Sequence, residues 1–133
     1  MSEFLIDSTI WIEFFKGKNN TINDLVFPLI DEDKIYYNGV ILSELLIGAT
    51  NEKEFSFLES NFEGFRHLET DKTIFSKTAQ IGFKLRRKGV TVPLTDLIIA
   101  AHASHFGLTV VTADPHFKLI EKEVKLDLQF MSL

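Results

Sequence analysis

Residues 94–117 read LTDLIIAAHASHFGLTVVTADPHF, and this stretch decides the fold. From Asp96 to Phe106 apolar side chains occupy most of a helix's circumference, so this helix is expected to be buried on nearly all sides. Gly107 suits its C-terminus, because glycine adopts the left-handed conformation that closes a helix. Thr109-Val110-Val111-Thr112 is a continuous β-branched run, the composition of a strand covered on both faces. Pro115 then opens a short helix to Lys122. A buried helix feeding such a strand points to a parallel sheet with helices on its faces.

The rest of the chain repeats that alternation. Phe4-Leu5-Ile6 reads as a short buried strand, and Ser8 to Lys16 as a helix with Ile10, Trp11, Phe14 and Phe15 on its apolar stripe. Thr21 to Asp31 is a second helix, which Pro28 is expected to kink or end. Ile35-Tyr36-Tyr37 is a weak strand, Ile41 to Ala49 and Glu52 to Phe62 are helices, and His67-Leu68 is a short strand. Thr73 to Lys88 is helical, with Ile74, Phe75, Ala79, Ile81 and Leu85 as its apolar positions and a stop at Gly89. Leu126 to Met131 partly alternates and reads as a last strand. The fold class is α/β with a mostly parallel sheet.

The 133 residues fit one domain, 1–133, with no repeat and no Gly/Ser-rich linker. An apolar fraction of 45% with 25% charged residues is a globular balance and argues against disorder. The absence of cysteine excludes disulfides, thiolate zinc sites and thiol catalysis. Met1-Ser2-Glu3-Phe4 lacks a basic region leading into an apolar stretch, so no secretory signal is expected. The longest run free of Asp, Glu, Lys and Arg, Leu97 to Ala113, is too short and too polar for a membrane span, and a cytoplasmic location is expected.

A formal charge of −5 counts against nucleic acid held by bulk charge alone. The charge is unevenly placed. Asp71 to Gly89 holds six Lys and Arg against the single acid Asp71, while Glu52 to Glu69 holds five Glu against Lys53 and Arg66. These segments are either two solvated helix faces or, for the first, a basic strip that tracks phosphates.

Four carboxylates stand where chemistry is expected. Asp7 follows the first strand directly, Asp114 follows the Thr109–Thr112 strand by two residues, and Asp96 opens the buried helix. If both strands are parallel members of one sheet, Asp7 and Asp114 sit at its C-terminal edge, the usual ligand crevice. Helix capping is the competing account of all three Asp residues. Glu44 resists it, because a glutamate between Val40-Ile41 and Ile47-Gly48 in a helix expected to be buried caps nothing. Glu44 calls for an Arg partner, a proton or a cation. Together, Asp7, Glu44, Asp96 and Asp114 would form an oxygen-only site for a hard cation such as Mg²⁺ or Mn²⁺. Such a site suits phosphoryl hydrolysis by an activated water.

Four segments then acquire a family likeness. Leu5 to Glu13, Ser43 to Gly48, Leu94 to Ala101 and Thr109 to Phe117 resemble, in order, the acid motifs of PIN-domain proteins. The likeness is nearest to the VapC-type ribonuclease toxins of type II toxin–antitoxin pairs. It implies a three-layer α/β/α fold around the sheet and Mg²⁺- or Mn²⁺-dependent RNA cleavage. It places Asp7, Glu44, Asp96 and Asp114 on the family's catalytic and metal-binding quartet, with Thr9 and Thr112 as residues that orient the acids. It also implies a cognate antitoxin partner and a homodimer.

Arg86, Arg87 and Lys88 are candidate RNA contacts, as is His116 beside the fourth acid. His102 and His105 could suggest a metal pair, but no third nitrogen ligand is evident and core packing is the simpler account. Trp11, Phe14 and Phe15 could stack bases, whereas a chain with 13 Phe must place most aromatics in its core. Two rival functions fit the same residues. One is another metal-dependent phosphodiesterase or a DNA nuclease. The other is a non-catalytic binding module whose acids hold an ion or a partner's basic tail.

Overall fold

Ile6 and Val111 lie side by side at the centre of a parallel sheet, which puts Asp7 and Thr112 at the same edge of neighbouring strands. The computed structural model describes residues 2–133. Its element order is β1 (Phe4–Ile6), α1 (Ser8–Lys16), α2 (Asn20–Asp31), β2 (Ile35–Asn38), α3 (Gly39–Ile47), α4 (Glu52–Phe62), β3 (Arg66–Leu68), α5 (Lys72–Arg87), α6 (Leu94–Phe106), β4 (Thr109–Thr112), α7 (His116–Glu121) and β5 (Asp127–Phe130). Among the described residues the five strands form one sheet in the order β3-β2-β1-β4-β5, every pairing parallel.

That order has a physical consequence. From β1 the chain winds outward to β2 and β3, then returns across the sheet to place β4 on the other side of β1. The point of reversal lies between β1 and β4. Connections leave the two strands in opposite directions there, and a crevice opens beyond their C-terminal ends. Val110, Val111 and Thr112 are fully buried, as the continuous β-branched run implied. Asp96 through Ala103 of α6 are buried without a break.

Three local expectations need correction. First, α2 runs through Pro28 without ending there. Its buried stripe is Ile22, Val26 and Leu29, while Pro28 and Asp24 lie on the exposed face. The carbonyl of Asp24, which Pro28 cannot serve, is therefore within reach of water. Second, Phe75 and Ala79 of α5 point outward, and Thr78 takes the buried place between Ile74 and Ile81. Its hydroxyl donates to the Ile74 carbonyl at 2.7 Å, so its burial leaves no unmet polar group. Third, α3 begins at Gly39 and α6 at Leu94, each two residues before the expected start. Asn38 accounts for the first, since its Oδ1 accepts from the Ile41 N–H at 2.9 Å.

Aromatic packing holds α1 down. Trp11 is fully buried and stacks with Phe15 and Phe65, with Phe14 and Phe62 meeting it edge-on. Core packing rather than base stacking is thus the role of Trp11. On the far side, α5 and α6 approach closely at Gly82, where a Cβ would stand 2.9 Å from Leu97 Cδ1. That approach seats the first turn of α6, the turn that carries Asp96.

Candidate active site

Asp7 occupies the N-cap position of α1, yet its side chain makes no capping bond. It is nearly buried, at 3% exposure. Its Oδ2 accepts from Thr112 Oγ1 at 2.8 Å and from Thr9 Oγ1 at 2.9 Å. Thr9 Oγ1 also accepts from the Ala113 N–H at 3.1 Å, and Thr112 Oγ1 accepts from the Asp114 N–H at 2.9 Å. Two hydroxyls thus tie Asp7 and the first turn of α1 to the end of β4 and the residues after it, and hold Asp7 in one orientation. Capping is therefore not the role of Asp7.

Asp96 is the third residue of α6, behind Leu94 and Thr95, and is also nearly buried. Its Oδ2 lies 3.0 Å from His116 Nδ1. Asp114 Oδ1 is 3.1 Å from the same nitrogen and accepts from the His116 backbone N–H at 2.9 Å. For Asp114, bonding the start of α7 is one function in addition to its place in the crevice. Asp96, Asp114 and His116 offer ligand atoms that all lie within 4.8 Å of one another. The sequence reading points His116 toward RNA; the geometry instead sets its ring between two acids. The signal available in the sequence was the spacing Asp114-Pro115-His116, a turn that brings residue i+2 back toward residue i.

Glu44 differs from the expectation. α3 buries Ile41, Leu45 and Leu46 but leaves Ile47 83% exposed, so the helix is covered on one side only. Glu44 is half-buried, at the margin between the two sides. It accepts from Ser8 Oγ at 3.3 Å, a partner that the sequence did not suggest. Among the described residues no Arg or Lys pairs with it.

The electrostatics follow from this placement. Burial pushes the Asp96 carboxyl up to about 6, with Asp114 adding to the rise and the His116 hydrogen bond opposing it. Burial also raises Asp7, against the pull of the two threonine hydroxyls. Glu44 is raised by partial burial and by the charge of Asp7. These groups therefore share one field. None of the four acids has a Lys or Arg counter-charge among the described residues. Carboxylates crowded and desolvated in this way fit a hard divalent cation.

His102 is the satisfied core histidine. Asn38 Nδ2 lies 2.9 Å from its Nδ1, and its Nε2 lies 2.9 Å from the Glu69 carbonyl. Burial lowers its pKa, as expected of a neutral ring. His105 is exposed. Arg86, Arg87 and Lys88 are exposed at the C-terminal end of α5. Arg86 lines a pocket of about 120 Å³ together with Leu94 and Leu97, the residues flanking Asp96. The basic end of α5 thus lies beside the first turn of α6.

The chain resembles known proteins in both sequence and fold. The PIN domain family model matches residues 4–123. The chain is 32% identical over 126 residues to VapC ribonuclease Mb1587 of Mycobacterium bovis, covering 92% of this chain and 94% of that one. It is 31% identical over 116 residues to the tRNA(fMet)-specific endonuclease VapC of Shigella flexneri, covering 84% and 86%. Among solved structures, DNA-bound VapBC from Salmonella typhimurium superposes with a TM-score of 0.81 at 28% identity over 98% of both chains.

Proposed function

The chain belongs to the PIN-domain family, and from that premise we propose that it is a Mg²⁺- or Mn²⁺-dependent endoribonuclease, the toxin of a toxin–antitoxin pair. The observation that carries this proposal is the set of four acids at the sheet's point of reversal, coupled to one another and without a Lys or Arg counter-charge among the described residues. A divalent ion held by Asp7, Glu44, Asp96 and Asp114 would activate a water and polarise the scissile phosphate. The protein's share is orientation. Thr9 and Thr112 fix Asp7, Ser8 steadies Glu44, and α6 presents Asp96 from a buried helix that cannot shift easily. Burial keeps bulk water away from Asp7 and Asp96, which strengthens every charge interaction there.

Arg86 borders a pocket with Leu94 and Leu97 of α6, and it, with the exposed Arg87 and Lys88, is assigned to the RNA backbone. The names of the relatives, ribonuclease and tRNA(fMet)-specific endonuclease, favour RNA over other phosphate esters. The VapBC structure favours an antitoxin partner. An apolar groove lined by Ile12, Phe15, Leu45, Phe57 and Leu58 gives that partner a surface on α1, α3 and α4. Exposed Phe75, Phe83 and Leu94 provide apolar surface for a second copy of the chain.

The test is incubation of the purified, partner-free chain with total RNA and Mg²⁺, followed by mapping of cut ends. Cleavage should vanish with EDTA and in Asp7→Asn. Undiminished cleavage in EDTA would overturn the proposal. Turnover confined to single-stranded DNA or a small phosphate ester would move the substrate away from RNA. Tight partner binding with no turnover would mark a binding module.

A further inference from the structure

We infer that His116 is a nitrogen ligand to the divalent ion, so that this site prefers Mn²⁺ and later transition metals to Mg²⁺. The inference rests on the metal-dependent nuclease proposed above and goes beyond it in ligand set and metal choice.

His116 Nδ1, not Nε2, faces the acids, at 3.0 Å from Asp96 Oδ2 and 3.1 Å from Asp114 Oδ1. An octahedral ion with bonds of about 2.1 Å sets adjacent ligands about 3.0 Å apart. These two separations match that edge, and the ligand atoms of all three residues lie within 4.8 Å of one another, so side-chain adjustment of the two acids around the ring would bring all three onto one ion. Asp96 is held by the buried α6, and the His116 backbone is tied to Asp114 Oδ1 at 2.9 Å. Little ordering of the chain is therefore needed when an ion arrives.

The consequence for metal choice is chemical. Oxygen donors alone suit Mg²⁺, Ca²⁺ and Mn²⁺, whereas an imidazole donor favours the later first-row ions most, Mn²⁺ less, and Mg²⁺ least. The half-exposed ring, at 41% side-chain exposure, leaves the neighbouring coordination positions open to water and substrate.

The experiment is pulsed electron paramagnetic resonance of the purified full chain loaded with Mn²⁺, with isothermal titration of Mn²⁺ and Mg²⁺ alongside. The expected result is imidazole ¹⁴N modulation in the wild type and in His105→Gln, and its loss in His116→Gln, which keeps a hydrogen-bond donor toward the acids. His116→Gln should also weaken Mn²⁺ by about tenfold or more while leaving Mg²⁺ nearly unchanged. Bound Mn²⁺ with no ¹⁴N modulation, or modulation that survives in His116→Gln, would overturn the role of His116 and leave the acid-held metal intact. Failure of the wild type to bind Mn²⁺ at all would overturn the metal site itself, and this inference with it.

Discussion

The hydroxyl of Thr112 donates to Asp7 Oδ2 at 2.8 Å across 105 residues of sequence, and Thr112 Oγ1 itself accepts the backbone N–H of Asp114. One side chain therefore sets the spacing of two acids. Thr112→Val keeps the shape and removes both bonds. RNA cleavage should fall roughly 10–100-fold, while stability falls by about 1 kcal/mol. Thr112→Ser should recover most of the rate. Cleavage kinetics together with thermal melts check this; a fully active valine variant would refute it.

Asp96→Asn should separate stability from activity. Wild-type Asp96 is nearly buried beside Asp114, and its charge is costly without an ion. The amide removes that charge and still accepts from His116. The metal-free variant should therefore be more stable at pH 7 by about 1–2 kcal/mol, with RNA cleavage lost. Urea unfolding in EDTA is the measurement.

The metal-free chain should lose stability as pH rises from about 4 to about 6. Asp96 titrates near 3.8 when unfolded and is raised to about 6 in the fold, so between these values the folded chain holds more protons than the unfolded one. Stability then declines with pH across that window. The rises of Asp7 and Glu44 act in the same direction. The slope should be shallower in Asp96→Asn. Mg²⁺ or Mn²⁺ should raise the melting temperature more at pH 7 than at pH 5, because protons compete with the ion. Melting temperatures measured in EDTA and in excess metal decide the matter.

Asn38→Ala should cost about 2–4 kcal/mol. Asn38 is fully buried, caps α3 through the Ile41 N–H, and lies against His102, which lies in turn against the Glu69 carbonyl. Truncation leaves both the cap and the ring nitrogen unmet. Denaturant midpoints at constant m-value would report it.

Charge reversal at Arg86 and Arg87 should weaken RNA binding without unfolding, since both are exposed. The slope of log K against log salt should become shallower by about one for each phosphate that is no longer neutralised. Unchanged affinity and slope would place the RNA elsewhere.

Where the sequence was sufficient, local rules were the reason. The β-branched run Thr109–Thr112 and the all-round apolar helix that feeds it admit few partners other than a covered parallel sheet. Where it was not, the deciding fact was which face a residue takes. Phe75 reads as core and is exposed, because Thr78 can bury itself by bonding its own helix. Glu44 reads as buried and is half-buried, because α3 is covered on one side only. Pro28 reads as a break and is none, because it falls on a solvated face.

The sequence by itself determined the α/β class, the four acids and their order along the chain. Strand and helix signals are local, and motifs need no coordinates. Only the tertiary structure decided that β4 returns to lie beside β1, that Thr112 reaches Asp7, and that His116 turns its Nδ1 between Asp96 and Asp114. The physical reason is distance along the chain. Thr112 and Asp7 are 105 positions apart and His116 and Asp96 are 20 apart, so strand order and side-chain packing bring them together, beyond the reach of any local pattern.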